Sequence, residues 1–566
     1  MELLQVKNLS FSYPNSQDQA LDGVSLNVEQ GQFVLVCGAS GCGKTTLLRL
    51  LKPEVAPFGE LKGDIWYDET SLTDLDPRVS ATDIGFVSQN PDAQIVTDKV
   101  WHELAFGLES LGTDTPTIRR RVGEMASYFG IQNWYHQSTD SLSGGQKQLL
   151  NLASVMTMQP KLLLLDEPTA QLDPITASEF LATLHKLNRD LGLTILLVEH
   201  RLEEIFPYVD VVMMMSAGHL EFNDEPDKVA TSMKGHPLAA GLPSAARIWA
   251  GLDLEPPCPL TVRSGRDMLR VSFSHLQGER IPESPTQSSD ESDEVIAAAD
   301  LWFRYDKNLP DVLKGMDIKV RRGEIFGILG GNGTGKTTLL NVLAGLERPY
   351  KGKVLIDGKK ISAYKRNAIY RNKLALLTQN PAAMFLKKSV REDYYDLLKT
   401  MEVGKEEQDS QIEDVAKTIG IESLLDSHPF DLSGGEQQKC ALGKLLLTQP
   451  EIVLLDEPTK GIDAFAKIMM AELLQALRSD GKTIVLVTHD VEFAAQVSDR
   501  CALVFDGSII SQGRPNDFFS DNSFYTTAAS RIARDIFPNA ILCEEVIALS
   551  KGETSTVQAQ EKTVQV

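Results

Sequence analysis

Short unbroken apolar runs, each closed by polar residues, recur along this chain. Phe33-Val34-Leu35-Val36, Leu162-Leu163-Leu164-Leu165, Thr194-Ile195-Leu196-Leu197-Val198 and Val211-Val212-Met213-Met214-Met215 lie in the first half. Ile325-Phe326-Gly327-Ile328-Leu329, Ile452-Val453-Leu454-Leu455 and Thr483-Ile484-Val485-Leu486-Val487 lie in the second. Runs of four or five without polar alternation predict strands covered on both faces, as in parallel sheets. Helix-forming stretches stand between them, at 46–51 and 146–155 and around Leu339-Leu340. The pattern predicts an α/β chain. No run approaches the roughly 18 apolar residues that a membrane-spanning helix needs, and mean hydropathy is −0.14.

Motifs repeat with the runs. Gly38-Ala39-Ser40-Gly41-Cys42-Gly43-Lys44-Thr45 returns as Gly330-Gly331-Asn332-Gly333-Thr334-Gly335-Lys336-Thr337, an offset of 292. Leu142-Ser143-Gly144-Gly145-Gln146 returns as Leu432-Ser433-Gly434-Gly435-Glu436, and Asp166-Glu167-Pro168-Thr169 as Asp456-Glu457-Pro458-Thr459, both at 290. An offset this long and this constant means duplication of a whole domain, since solenoid repeats have periods of about 20–50 residues.

The 566 residues therefore divide into a first domain at 1–235, a connecting segment at 236–294, a second domain at 295–540 and a tail at 541–566. Within the connecting segment, 282–294 holds five acidic residues and no basic one and reads as a flexible linker. Residues from 551 onward read as a disordered tail. The net charge of −22 makes nucleic acid an unsuitable default partner. Six cysteines do not make a disulfide scaffold and fit a reduced, cytosolic setting, and the first residues show no secretory signal.

Each glycine loop has the form G-x-x-x-x-G-K-[ST] between a predicted strand and a predicted helix, the context that phosphate binding requires. Glycines let backbone N–H groups converge on phosphate oxygens, and the helix N-terminus adds favourable dipole charge. Lys44 and Lys336 are expected to neutralise β- and γ-phosphates, with Thr45 and Thr337 as Mg²⁺ ligands and Thr46 and Thr338 beside them. Asp166-Glu167 and Asp456-Glu457 end buried strands, where ligand chemistry in open α/β sheets takes place. Asp166 and Asp456 are expected to orient Mg²⁺, and Glu167 and Glu457 to polarise the attacking water. His200 and His489 also end strands, 289 apart, and are expected to contact a γ-phosphate.

The pentad Leu142-Ser143-Gly144-Gly145-Gln146, beside these motifs, resembles the signature of ABC-type ATPases. That resemblance implies two tandem P-loop NTPase domains, each a mainly parallel sheet with helices plus a helical signature subdomain. It implies ATP and Mg²⁺ as cofactors, with Tyr13 and Tyr305 stacking on adenine. Gln89 and Gln379 would join Mg²⁺ to a transmembrane contact, and Leu172-Asp173 and Ile462-Asp463 match the loop after the catalytic glutamate. Ser143, Gly144 and Gly145, and Ser433, Gly434 and Gly435, would bind the nucleotide held by the other domain's glycine loop, so that the two halves pair within one chain. The second signature departs at Glu436, where glutamine is usual.

Gln89-Asn90-Pro91-Asp92-Ala93-Gln94-Ile95-Val96, followed by Val100-Trp101-His102-Glu103-Leu104-Ala105-Phe106-Gly107-Leu108, is similar to ATPases of energy-coupling-factor importers. The resemblance implies a transmembrane coupling subunit, a membrane-embedded substrate-binding subunit and a place at the cytoplasmic face of the membrane. Other ABC importers or exporters, and soluble ribosome-associated tandem ATPases, are the alternatives; the acidic linker disfavours the ribosomal one. The transported solute is not legible in the chain.

Overall fold

The computed structural model describes residues 1–14, 18–281, 294–364 and 368–553. The chain forms two compact units, Met1–Ala246 with Glu255–Thr261, and Arg247–Leu254 with Val262–Val566.

In the first unit the apolar runs become one six-stranded sheet. Its order is His219–Asp224, Val211–Ser216, Phe33–Gly38, Thr194–Val198, Leu162–Asp166, Ile84–Val87. All neighbours are parallel except the His219–Asp224 edge. Every residue of Leu162–Asp166 and Thr194–Val198 is buried, as double-sided coverage requires. Register places Asp166 beside Val198, and Val36 also pairs with Val198, so the glycine loop, Asp166 and His200 leave the sheet at one end. The second unit repeats this sheet as Leu374–Leu377, Ile452–Asp456, Thr483–Val487, Ile325–Leu329, Arg500–Phe505, Ser508–Gly513.

Each unit adds a four-stranded antiparallel sheet that the apolar runs did not announce. In the first, Glu2–Ser12 pairs with both Leu21–Glu29 and Glu60–Tyr67; in the second, Glu294–Phe303 pairs with Leu313–Arg321 and Lys351–Ile356. These strands alternate buried and exposed residues because one face packs on the core. A helical subdomain is built from Val100–Ser110, Thr115–Tyr128 and Gly144–Met156, and in the second unit from Val390–Thr400, Lys405–Ile419 and Gly434–Leu446.

Ordered structure also occupies stretches read from the sequence as connector and tail. Helix Val262–Phe273 belongs to the second unit, where Arg266 donates to the Arg531 carbonyl at 2.7 Å and Arg270 pairs with Asp535 at 2.8 Å. Ile281 and Asn539 exchange two hydrogen bonds. Helix Cys543–Lys551 buries Val546 and Leu549, and its Glu545 caps the backbone N–H groups of Ile541 and Leu542. The acidic linker reading at 282–293 and the tail reading from 554 fall outside the described residues.

Candidate functional site

Both glycine loops fold through left-handed glycines. Gly43 and Gly335 have φ near +100°, and a Cβ on Gly43 would meet the Ala20 carbonyl at 2.4 Å. Lys44 and Lys336 open helices Lys44–Leu50 and Lys336–Ala344, and both side chains are buried at 4% and 6% exposure. Lys44 Nζ donates to the Gly38 and Ala39 carbonyls at 3.0 and 2.8 Å, and Lys336 Nζ to Gly330 and Gly331 at 2.9 and 2.8 Å. Each ammonium is thus curled over its own loop. Ser40, Gly41, Asn332 and Gly333 are exposed at the loop crests, Thr334 donates to the Gly331 carbonyl, and Cys42 is buried. Burial pushes the Cys37 thiol up to about 12, so it stays protonated beside the loop.

Asp166 receives the Thr45 hydroxyl at 2.9 Å. Burial pushes its carboxyl up to about 6 despite that hydrogen bond. Asp456 is raised to about 6 by the same cause, opposed by Thr337. Its Oδ1 is buried without a partner, which fits a cation's place. No group of three or more acidic, His or Cys ligands stands together among the described residues. A Mg²⁺ here would complete its shell with phosphate and water, as that ion commonly does.

Glu167 takes the His200 Nε2 at 2.7 Å through Oε1 and the Gln89 amide at 2.8 Å through Oε2. Glu457 meets His489 at both Nδ1, 2.8 Å, and the backbone N–H, 3.2 Å. Gln379 is exposed and forms no hydrogen bond among the described residues. The structure therefore brings Gln89 to its glutamate but not Gln379. Both glutamates have left-handed backbones, φ +45° and +54°, a conformation that a non-glycine residue adopts only at an energetic cost.

Tyr13 directly follows strand Glu2–Ser12, and Tyr305 stands two residues past strand Glu294–Phe303. Their hydroxyls lie 3.0 and 2.9 Å from Thr46 and Thr338 at the start of the loop helices, while their rings stay largely exposed. Ser143 and Ser433 cap helices Gly144–Met156 and Gly434–Leu446 with reciprocal capping boxes. Gly144 and Gly434 are exposed at these helix starts, whereas Gly145 packs against Thr176.

The ABC transporter family model matches residues 21–170 and 313–460, which hold the glycine loop, the signature turn and the acid pair of each half. The chain belongs to the ABC transporter family. Relatives in Bacillus thuringiensis subsp. konkukian and Bacillus cereus, each named "Putative ABC transporter ATP-binding protein", are 41% identical over 96% of this chain and 97% of theirs. One from Methanosarcina mazei is 32% identical over 92% of this chain and 90% of its own. A solved structure, cbiO1 from Clostridium perfringens, described as part of the ABC transporter complex cbiONQ, is 30% identical. It covers 40% of this chain and 92% of that chain at a TM-score of 0.38, too low to carry an argument.

As an ABC transporter ATP-binding subunit, the protein is an ATPase with two glycine loops, and its two halves are wired differently. Ser433 donates its hydroxyl to Glu436 at 2.6 Å, whereas the Ser143 hydroxyl only accepts from the Gln146 N–H. Before His200 stands Glu199, which accepts from Thr169 and from the His200 and Arg201 N–H groups; before His489 stands Thr488. The sequence reading also missed Glu103 and Asp393. Each is buried and receives two backbone N–H groups, Val96 and Thr97 in one half, Leu386 and Lys387 in the other. Their 290-residue spacing was the available signal.

Proposed function

We propose that this ATPase energises import of a small nutrient, a vitamin or trace metal, through an energy-coupling-factor type transmembrane coupling subunit and a membrane-embedded substrate-binding subunit. In this reading the chain sits peripherally at the cytoplasmic face. Lys44 and Lys336 hold phosphates, Thr45, Asp166, Thr337 and Asp456 serve Mg²⁺ with Gln89 and Gln379 near it, Glu167 and Glu457 polarise water, and His200 and His489 contact the γ-phosphate. Tyr13 and Tyr305 face the base, and the two Ser-Gly-Gly turns bind nucleotide.

One observation carries the partner assignment. Seven residues after Gln89 and Gln379, at matched positions, Val96 and Leu386 are 66% and 81% exposed, although each is apolar. A buried carboxylate fixes the backbone at each, so the apolar tip is held outward. Such display beside the ATP-sensing glutamine suits a protein partner. In the first unit Trp101 and Phe106 on the following helix, Val100–Ser110, are also exposed; their counterparts are Arg391 and Asp396, which supports an asymmetric membrane partner. No helix among the described residues is long and apolar enough to cross a membrane.

The test is affinity purification of the tagged chain from detergent-solubilised membranes. The wild-type chain should bring two integral membrane subunits, and Val96→Asp/Leu386→Asp should lose them while hydrolysing ATP. Retention of those subunits by the variant, or co-sedimentation with ribosomes instead, would overturn the reading.

A further inference from the structure

Gln148 and Gln438 occupy the same turn of the two signature helices, 290 residues apart, and are 1% and 2% exposed. A glutamine so deeply enclosed should have both ends of its amide satisfied. In neither is this so: Oε1 of each is buried without a partner. An unmet buried acceptor lowers stability, yet both halves keep it at one position.

The donor end differs between the halves. Gln148 Nε2 donates to the Ser88 carbonyl at 3.2 Å, on the residue immediately before Gln89. In that half Gln89 reaches Glu167. Gln438 Nε2 instead donates to the carbonyl of Glu457 itself, at 3.4 Å, and in that half Gln379 is exposed without a hydrogen bond among the described residues. Both partners are carbonyls and can only accept, so the amide nitrogen must face each of them. The duplicated fold thus displays one side chain in two arrangements.

We propose that Gln148 and Gln438 are positioning residues that couple each signature helix to its catalytic glutamate. Each swings its amide NH₂ between the chain before Gln89 or Gln379 and the carbonyl of Glu167 or Glu457. The glutamates have left-handed backbones, so a hydrogen bond to their carbonyl steadies the peptide that aims the carboxylate. With the donor on Ser88, the neighbouring glutamine docks on the carboxylate; with the donor on the glutamate carbonyl, the glutamine is released. The amide oxygen is left unmet because both partners are carbonyls, which hold the NH₂ toward themselves and turn the oxygen away from any donor. The inference rests on the reading of Glu167 and Glu457 as the residues that polarise water.

The test uses the full chain with Gln148→Leu/Gln438→Leu and, separately, Gln148→Met/Gln438→Met, measuring steady-state MgATP hydrolysis, MgATP affinity and thermal melting. Turnover should fall about tenfold or more while Kd for MgATP stays within about twofold, a split that marks an interaction used in the reaction and not in ground-state binding. Melting should change little: one unmet acceptor is removed, but the Ser88 or Glu457 carbonyl loses its amide donor. Turnover within about twofold of wild type in both variants overturns the proposal, as does joint loss of melting temperature, affinity and turnover in both. Glu167→Gln/Glu457→Gln is measured alongside. If that variant turns over normally, the glutamate reading fails and takes this inference with it; if it is inactive while the leucine and methionine variants are fast, this inference alone fails.

Discussion

Replacing both glutamates by glutamine, Glu167→Gln/Glu457→Gln, separates chemistry from nucleotide binding. The contacts in the structure indicate that the amide fits. At Glu167 the oxygen can keep the Gln89 amide at the 2.8 Å position, and the NH₂ can face His200 Nε2 in the tautomer that accepts. At Glu457 the amide oxygen must take the His489 backbone N–H, and Nδ1 can donate to it as well. Neither substitution leaves a buried charge unpaired, and neither touches the lysines that contact the loops. Melting and MgATP affinity should therefore stay close to wild type. Water polarisation is lost at both sites, which for a general base is about 10²–10⁴-fold in turnover. That corresponds to about 3–5 kcal/mol of transition-state stabilisation. Phosphate release from saturating MgATP, with equilibrium binding of the same nucleotide, measures both quantities. Turnover within about threefold of wild type, with binding intact, would refute the assignment of these carboxylates.

Glu436→Gln should raise turnover several-fold, because the Ser433 hydroxyl now bound to the carboxylate at 2.6 Å becomes available to an anion, as in the first half; unchanged kinetics would show that the departure is silent. Lys44→Ala and Lys336→Ala should each remove one MgATP from the binding stoichiometry, since each buried ammonium is the cation of its loop, and two equivalents bound by either variant would contradict this. A pH effect is expected at Asp490. Burial would raise its carboxyl, but Lys467 at 2.6 Å and the Phe493 N–H bring it down to about 2. A folded value below the unfolded one gives stability that is present above about pH 4 and lost as pH falls toward 2, on the order of 2 kcal/mol. Lys467→Met should therefore lower the melting temperature at neutral pH and flatten its decline between pH 5 and 3; parallel melting curves would refute the pairing.

The sequence alone determined the duplicated α/β architecture, the two glycine loops, the acid pairs and the Ser-Gly-Gly turns. Their chemistry is local: converging backbone N–H groups need Gly43 and Gly335 in left-handed turns, and doubly covered strands need unbroken apolar runs such as 162–165. Separation in sequence hid the rest. That Arg266 meets Arg531 265 residues away, or that Tyr13 closes on Thr46, follows from packing that no periodicity records. The clearest case is the pair of matched glutamines. Gln89 and Gln379 stand 290 residues apart with the same neighbours Asn and Pro after them, and both are exposed, yet Gln89 donates to its glutamate while Gln379 forms no hydrogen bond among the described residues. Only the tertiary structure decided that difference, because the position of a side chain in a loop depends on which of several acceptors the surrounding fold brings within hydrogen-bonding distance.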